Sequence, residues 1–155
     1  MQELWPSPST DVDISARLAA DSRPNPPGRP WVTLVMITSV DGAIAIDGVS
    51  GGLGAPSDHQ RFLAARHQAE AIIVGATTAR IEDYQPTTVP IAVISGSLSP
   101  DPTARLFRDP DNQPILYTTD QAAGTRGADF DGIAEVISLG DSVDPARVLA
   151  DLDNR

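Results

Sequence analysis

The chain has 155 residues with 21 acids against 11 bases, every base an arginine, for a net charge of −10. That length fits one domain of about 100–200 residues, the 41% apolar share can fill one core, and the 5% aromatic share makes that core aliphatic. The acidity excludes a generic nucleic-acid or anionic-membrane binder, and the lack of cysteine excludes disulfides, thiolate metal sites and cysteine nucleophiles.

The opening Met1-Gln2-Glu3-Leu4-Trp5-Pro6 has neither the basic n-region nor the apolar h-region of a secretory signal. No apolar run approaches the ~18 residues of a membrane span. A cytoplasmic protein is expected. Residues 1–10 are rich in turn formers, and Thr10 or Asp11 is expected to cap a short helix through Leu18 and Ala20. Residues 22–30, SRPNPPGRP, read as an extended lead-in. Residues 31–38, WVTLVMIT, are apolar on both faces: Trp31, Val35 and Ile37 on one, Val32, Leu34 and Met36 on the other. That pattern predicts a central strand with both sheet faces covered. A shorter apolar run, 43–46, follows an Asp41-Gly42 turn, and residues 47–56 read as a glycine-rich loop.

Pro56 and the box Ser57-Asp58-His59-Gln60 predict a helix start, with the helix running to about Ala69. Residues 71–74 predict a buried strand ended by Gly75, and Thr77 or Thr78 caps a short helix through Glu82. Residues 91–95 are the next strand and 96–114 a Pro/Asp-rich loop. Residues 115–118 and 135–139 are two more strands. Asp144-Pro145 opens a last helix, with aspartate as N-cap and proline at the first helical position. Strands alternating with helices predict an α/β fold with a mostly parallel sheet.

Several motifs bear on chemistry. Gly48-Val49-Ser50-Gly51-Gly52 matches the nucleophile elbow G-x-S-x-G, but four residues separate it from the helix, and both histidines lie within 17 positions of Ser50 in one predicted helix, which argues against a triad. Gly52-Leu53-Gly54 ahead of a helix is a weak dinucleotide fingerprint. It reads either as a loop whose bare N–H groups approach an anion or as a plain surface turn. His59 and His67 lie eight positions apart, about 12 Å along a helix, too far to share a metal; they read as solvent-facing. Arg66 falls with Phe62, Leu63 and Ala69 on the predicted inward stripe. An arginine there contacts a ligand anion or pairs with an acid such as Asp41. Asp41, Gly75 with Thr78, and Ser95 all stand at strand ends, where open α/β sheets bind ligands. Their convergence points to one cleft for an anionic cofactor.

The stretches RPWVTLVMITSVDGAIAIDGVSGGLG (29–54) and LAARHQAEAIIVGATTARIEDYQP (63–86) together resemble the pyrimidine-reductase half of bacterial riboflavin-biosynthesis enzymes. The resemblance implies a dihydrofolate-reductase-like fold: an α/β, mostly parallel mixed sheet flanked by helices and incomplete at the C-terminus. It implies a lead-in over 1–28 and, over 29–155, the N-terminal portion of a reductase domain. It implies NADPH as cofactor, a phosphorylated pyrimidine as small-molecule substrate, no nucleic-acid or membrane partner, and a homodimer in the full-length form. The reaction would reduce a ribosylaminopyrimidine 5′-phosphate to its ribityl form. Reduction of a dihydrofolate or pterin on the same scaffold, and a non-catalytic truncated remnant, are the alternatives. By position, Asp41 is implied as the catalytic carboxylate. Ser50, Arg66 and Pro86 are implied against the substrate. Thr38, Gly52, Gly75, Thr78, Glu82 and Ser95 are implied against the cofactor. Gly52 stands where relatives carry an aromatic residue, and Thr87-Thr88-Val89 lack the arginine that many relatives use for the substrate phosphate.

Overall fold

The computed structural model describes Gln2–Glu3 and residues 8–155. The chain divides into two compact units, one comprising Met1–Pro24 with Trp31–Ala69, the other Asn25–Pro30 with Glu70–Arg155.

In the first unit, β1 (Gln2–Glu3) pairs antiparallel with β2 (Ser9–Thr10). Helix α1 (Ile14–Ala19) starts later than the sequence predicts. Its cap is Asp13, whose carboxylate accepts from the N–H groups of Ser15 at 2.9 Å and Ala16 at 3.2 Å. Of the two expected caps, Thr10 lies in β2 and Asp11 sits at φ 72. Helix α2 (Pro56–His67) also differs from expectation at its start. Pro56 occupies the first helical position, where its missing N–H costs nothing and its fixed φ suits the turn. Ala55 is therefore the N-cap, and the Ser57/Gln60 box lies inside the first turn without capping it. Only Ala64 of α2 is buried. Gln60, Leu63, Ala64 and His67 line a groove with residues 12–15. The face turned to α1 is thus rotated from the predicted stripe of Phe62, Leu63, Arg66 and Ala69.

Residues 31–38 do not form the expected central strand. A strand is made by ladder hydrogen bonds to neighbours, and among the described residues no strand pairs with this segment. Its apolar side chains stand exposed, Leu34 at 81% and Met36 at 66%. The run 43–46 contributes only Ile46, which bridges Val49 through bonds of 2.9 and 3.0 Å. Between them Asp47 (φ 51) and Gly48 (φ 86) both take positive φ, the signature of a two-residue type I′ hairpin turn.

The second unit is built on a wholly parallel sheet in the order β3 (Ile72–Gly75), β4 (Ile91–Ile94), β5 (Ile115–Thr118), β6 (Glu135–Ser138). The chain is α/β, as its alternating pattern predicts. Both sheet faces are covered, which is why β4 and β5 read as continuous apolar runs. One face carries Val93, Leu116, Leu98, Phe107 and Phe130, roofed by α3 (Ala76–Ile81), α4 (Asp120–Arg126) and the 3-10 turns Arg105–Phe107 and Gly127–Phe130. The other carries Ala92, Ile115, Tyr117 and Leu139 under Val148 of α5 (Pro145–Asp153). The core is mostly aliphatic, yet Tyr117 and Phe130 are its largest fully buried side chains. The rings of Phe107 and Phe130 meet with centroids 5.4 Å apart, a tilted pair of the favoured kind.

Helix α5 begins where the sequence predicts: Asp144 caps it, accepting from the N–H of Ala146 at 2.9 Å, with Pro145 at the first turn. Helix α3 begins without the expected threonine cap; Gly75 is its N-cap and no side chain bonds there. Helix α4 is absent from the sequence reading. Gly124 and Thr125 interrupt its pattern and it buries only Ala122, so no apolar stripe marks it.

Candidate functional site

The carboxyl ends of parallel strands are where open α/β sheets present ligand-binding loops. At that end of the second unit, Gly75 pairs in register with Ile94, which places Gly75 and Ser95 on neighbouring strand ends. Thr78 is exposed on α3, and the N–H of Glu82 closes that helix on the carbonyl of Thr78 at 2.9 Å. Ser95 is buried, 5% exposed. Its hydroxyl oxygen accepts from the N–H of Ser99 at 2.9 Å and lies 3.2 Å from the Ser99 hydroxyl. Ser95 therefore shapes the loop that follows β4. Leu98 in that loop is fully buried at φ 49, a conformation that L side chains adopt at a cost.

Side chains from the next connection hold this loop. The Thr119 hydroxyl donates to the carbonyl of Gly96 at 2.9 Å, and the Arg126 guanidinium donates to the carbonyl of Leu98. Arg126 also meets Asp129 at 3.2 Å. Between loop and helix lies a groove of about 280 Å³, lined by Gly96, Ser97, Thr119, Gln121, Thr125 and Arg126. Ala122 completes the lining, and the sequence reading singled out none of these residues. The one available signal was Thr119 directly after an apolar strand, an N-cap residue; it accepts from the N–H of Ala122 at 3.2 Å. Pro86 is half-buried in the same unit. Beside it the Thr87 hydroxyl donates to the carbonyl of Val89 at 2.6 Å.

Thr38, Asp41, Ser50, Gly52 and Arg66 belong to the first unit. Asp41 sits in a knit turn. Ser39 donates its N–H to the carbonyl of Ala43 at 2.9 Å, Gly42 donates to the carbonyl of Ser39 at 3.0 Å, and Gly42 takes φ 88. The Ser39 hydroxyl donates to the Asp41 carboxylate. That bond first, and the Ala43 backbone second, holds the Asp41 carboxyl below the usual carboxylate range, so it is ionised through neutral pH. Thr38 is exposed and donates to the carbonyl of Ser39 at 3.0 Å. Ser50 is half-buried, and its carbonyl accepts from the N–H of Leu53 at 3.0 Å. A side chain at Gly52 would meet Ile46 at 3.4 Å, and one at Gly54 would meet the Asp58 carboxylate at 3.0 Å. Arg66 is half-buried, with its guanidinium 4.9 Å from the centroid of the Phe62 ring, a cation–π contact. His59 stacks on the same Phe62 ring, with centroids 6.3 Å apart. No group of acids and histidines suited to a metal occurs among the described residues, and no described helix is long and apolar enough to cross a membrane.

Comparison with known proteins adds three findings. The model of the RibD C-terminal domain matches residues 30–155. A solved structure of a pyrimidine reductase-like protein from Corynebacterium diphtheriae is similar at 29% sequence identity and a TM-score of 0.64. The match covers 75% of this chain and 57% of that one, so the chain spans a little over half that protein's length. No curated protein matches.

Proposed function

Because the chain belongs to the RibD C-terminal domain family, we propose that it is an NADPH-dependent pyrimidine reductase of riboflavin biosynthesis, converting a ribosylaminopyrimidine 5′-phosphate to its ribityl form. The observation that carries this reading is the groove at the carboxyl ends of β4 and β5. Its residues suit the phosphate-bearing end of a nicotinamide dinucleotide. Arg126 brings a positive charge, and Gly96 offers backbone that a ligand can approach closely.

On this reading Gly75, Thr78, Glu82 and Ser95 hold the cofactor from adjoining strand ends, and Thr38 and Gly52 lie against it. When bound, the nicotinamide supplies a hydride for the sugar C1 of the open imine. Ser50, Arg66 and Pro86 hold the substrate. The ionised Asp41 accepts a hydrogen bond from the pyrimidine or the ribose and so fixes its orientation. Hydride transfer would need these residues only to hold the reacting carbons about 3–3.5 Å apart and to exclude water. The proposed assembly is a homodimer and the proposed compartment the cytoplasm.

Steady-state NADPH oxidation with the ribosylaminopyrimidine phosphate, and separately with dihydrofolate, tests the reading. Turnover of the ribosyl compound to a ribityl product by mass spectrometry is the expected result. Turnover of dihydrofolate alone assigns a pterin reductase instead. NADPH binding without turnover of either assigns a non-catalytic module, and failure to bind NADPH at all removes the groove from the argument.

A further inference from the structure

Asp-Gly pairs occur at 41–42, 47–48 and 131–132. Each carries the same intrinsic chemical risk, because glycine leaves the backbone nitrogen after the aspartate unshielded. The fold treats them differently. At Asp41 the Gly42 N–H is bonded to Ser39 at 3.0 Å and the carboxylate is held by the Ser39 hydroxyl. At Asp131 the turn is anchored on both sides. Ile133 and Ala134 donate to the carbonyl of the fully buried Phe130 at 3.1 Å, and Gln113 donates to the carbonyl of Gly132 at 2.8 Å.

The Asp47-Gly48 turn has no such hold. Only the single Ile46–Val49 bridge closes it. Those flanks are 48% and 40% exposed, so little burial opposes opening. Among the described residues, nothing accepts from the Gly48 N–H and nothing donates to the Asp47 carboxylate; the same is true of Gly132 and Asp131, so what sets the 131–132 pair apart is its anchoring to the buried Phe130 and to Gln113, which the 47–48 turn lacks.

We propose that Asp47-Gly48 is a site of spontaneous succinimide formation and isoaspartate conversion, from which the fold protects the other two pairs. The Gly48 nitrogen attacks Cγ of the protonated Asp47 carboxyl. A C–N bond forms, the C–OH bond breaks, and the hydroxyl leaves with the amide proton as water. A second water then opens the ring. Opening at the original backbone carbonyl routes the main chain through the Asp47 side chain, and no electrons leave the system. The rerouted chain has one extra carbon in a turn whose two-residue length sets the pairing of its flanks. Conversion therefore undoes the Ile46–Val49 bridge.

The test incubates the full chain in heavy-oxygen water at mildly acidic pH and locates label and isoaspartate by electron-transfer fragmentation of peptides. Label at Asp47 is expected to exceed that at Asp41 and Asp131 several-fold. In concentrated urea the three pairs should label alike. Equal or greater label at Asp41 or Asp131 in the folded chain overturns the proposal. So does an Asp47 excess that persists in urea, since sequence rather than fold would then set the rate.

Discussion

Replacing Tyr117 with phenylalanine removes one hydroxyl from the best-defined polar network in the second unit. That hydroxyl donates to the Asp151 carboxylate at 2.6 Å, Arg155 donates to the same carboxylate at 2.7 Å, and Arg155 grips Glu135 through two bonds of 2.8 and 3.0 Å. Burial first, and the Asp151 bond second, push the phenol's pKa well up, so Tyr117 acts only as a donor. A hydrogen bond to a charged group contributes about 1.5–3 kcal/mol when sequestered. The Asp151 side chain is 35% exposed, so water replaces part of what is lost, and Tyr117→Phe should cost about 1 kcal/mol. For a chain of this size that is a fall of about 2–4 °C in Tm. The bond also shapes the acid limb. The Tyr117 hydroxyl first, and Arg155 after it, depress the Asp151 pKa. A depressed carboxyl contributes stability that is full above its unfolded value of about 3.9 and is lost as pH falls through its folded value. The variant should therefore lose less stability than wild type on acidification below about pH 4, and the two should converge in strong acid. Urea melts at neutral and acidic pH, run with Asp151→Asn and the double variant, measure the coupling. A coupling near zero, or a Tyr117→Phe cost unchanged in strong acid, would refute the reasoning.

Other predictions rest on separate features. Val148, 1% exposed beneath the sheet, should cost about 2 kcal/mol on truncation to alanine through lost burial and an imperfectly refilled cavity, read as a lower urea midpoint at unchanged slope. Arg126→Ala should weaken NADPH binding about tenfold by fluorescence titration, roughly the worth of one charge-assisted contact, while binding of a nicotinamide mononucleotide is spared. Asp41→Asn should leave Tm almost unchanged, since the side chain is exposed, yet lower kcat/KM about a hundredfold. With wild type, kcat/KM should stay level through neutral pH and decline only below the usual carboxylate range, because Asp41 is held ionised.

The sheet of the second unit was legible because its information is local. The short apolar runs read at 71–74, 91–95 and 115–118 can be buried only as central strands or short helices, and the flanking glycine, proline and aspartate decide between them, leaving the observed strands within a residue of those bounds. Asp144-Pro145 announces α5 for the same reason. Residues 31–38 carry an equally strong local pattern, but pattern alone supplies no neighbour, and pairing is what makes a strand. The 46–49 hairpin was overlooked because its pairing is a single residue long on each side, Ile46 with Val49, and Val49 runs at once into Ser50-Gly51-Gly52. Within the candidate site, the adjacency of Gly75 and Ser95 follows from strand ends and could be anticipated. The role of Arg126 could not, because its partner, the Leu98 carbonyl, lies 28 residues away, and no sequence periodicity spans a loop.

The order of the parallel sheet bears on how the molecule is made. Strands β3, β4, β5 and β6 are neighbours in the chain and neighbours in space, each beginning about 20 residues after the last. Every closure is therefore a short one, and its entropic cost grows only with the logarithm of that length. Sheets whose strands must wait for a distant partner form slowly and expose edges meanwhile. Here a nascent chain leaving the ribosome can add each strand to the one just laid down, so the second unit should gain protease resistance stepwise during synthesis, one crossover at a time.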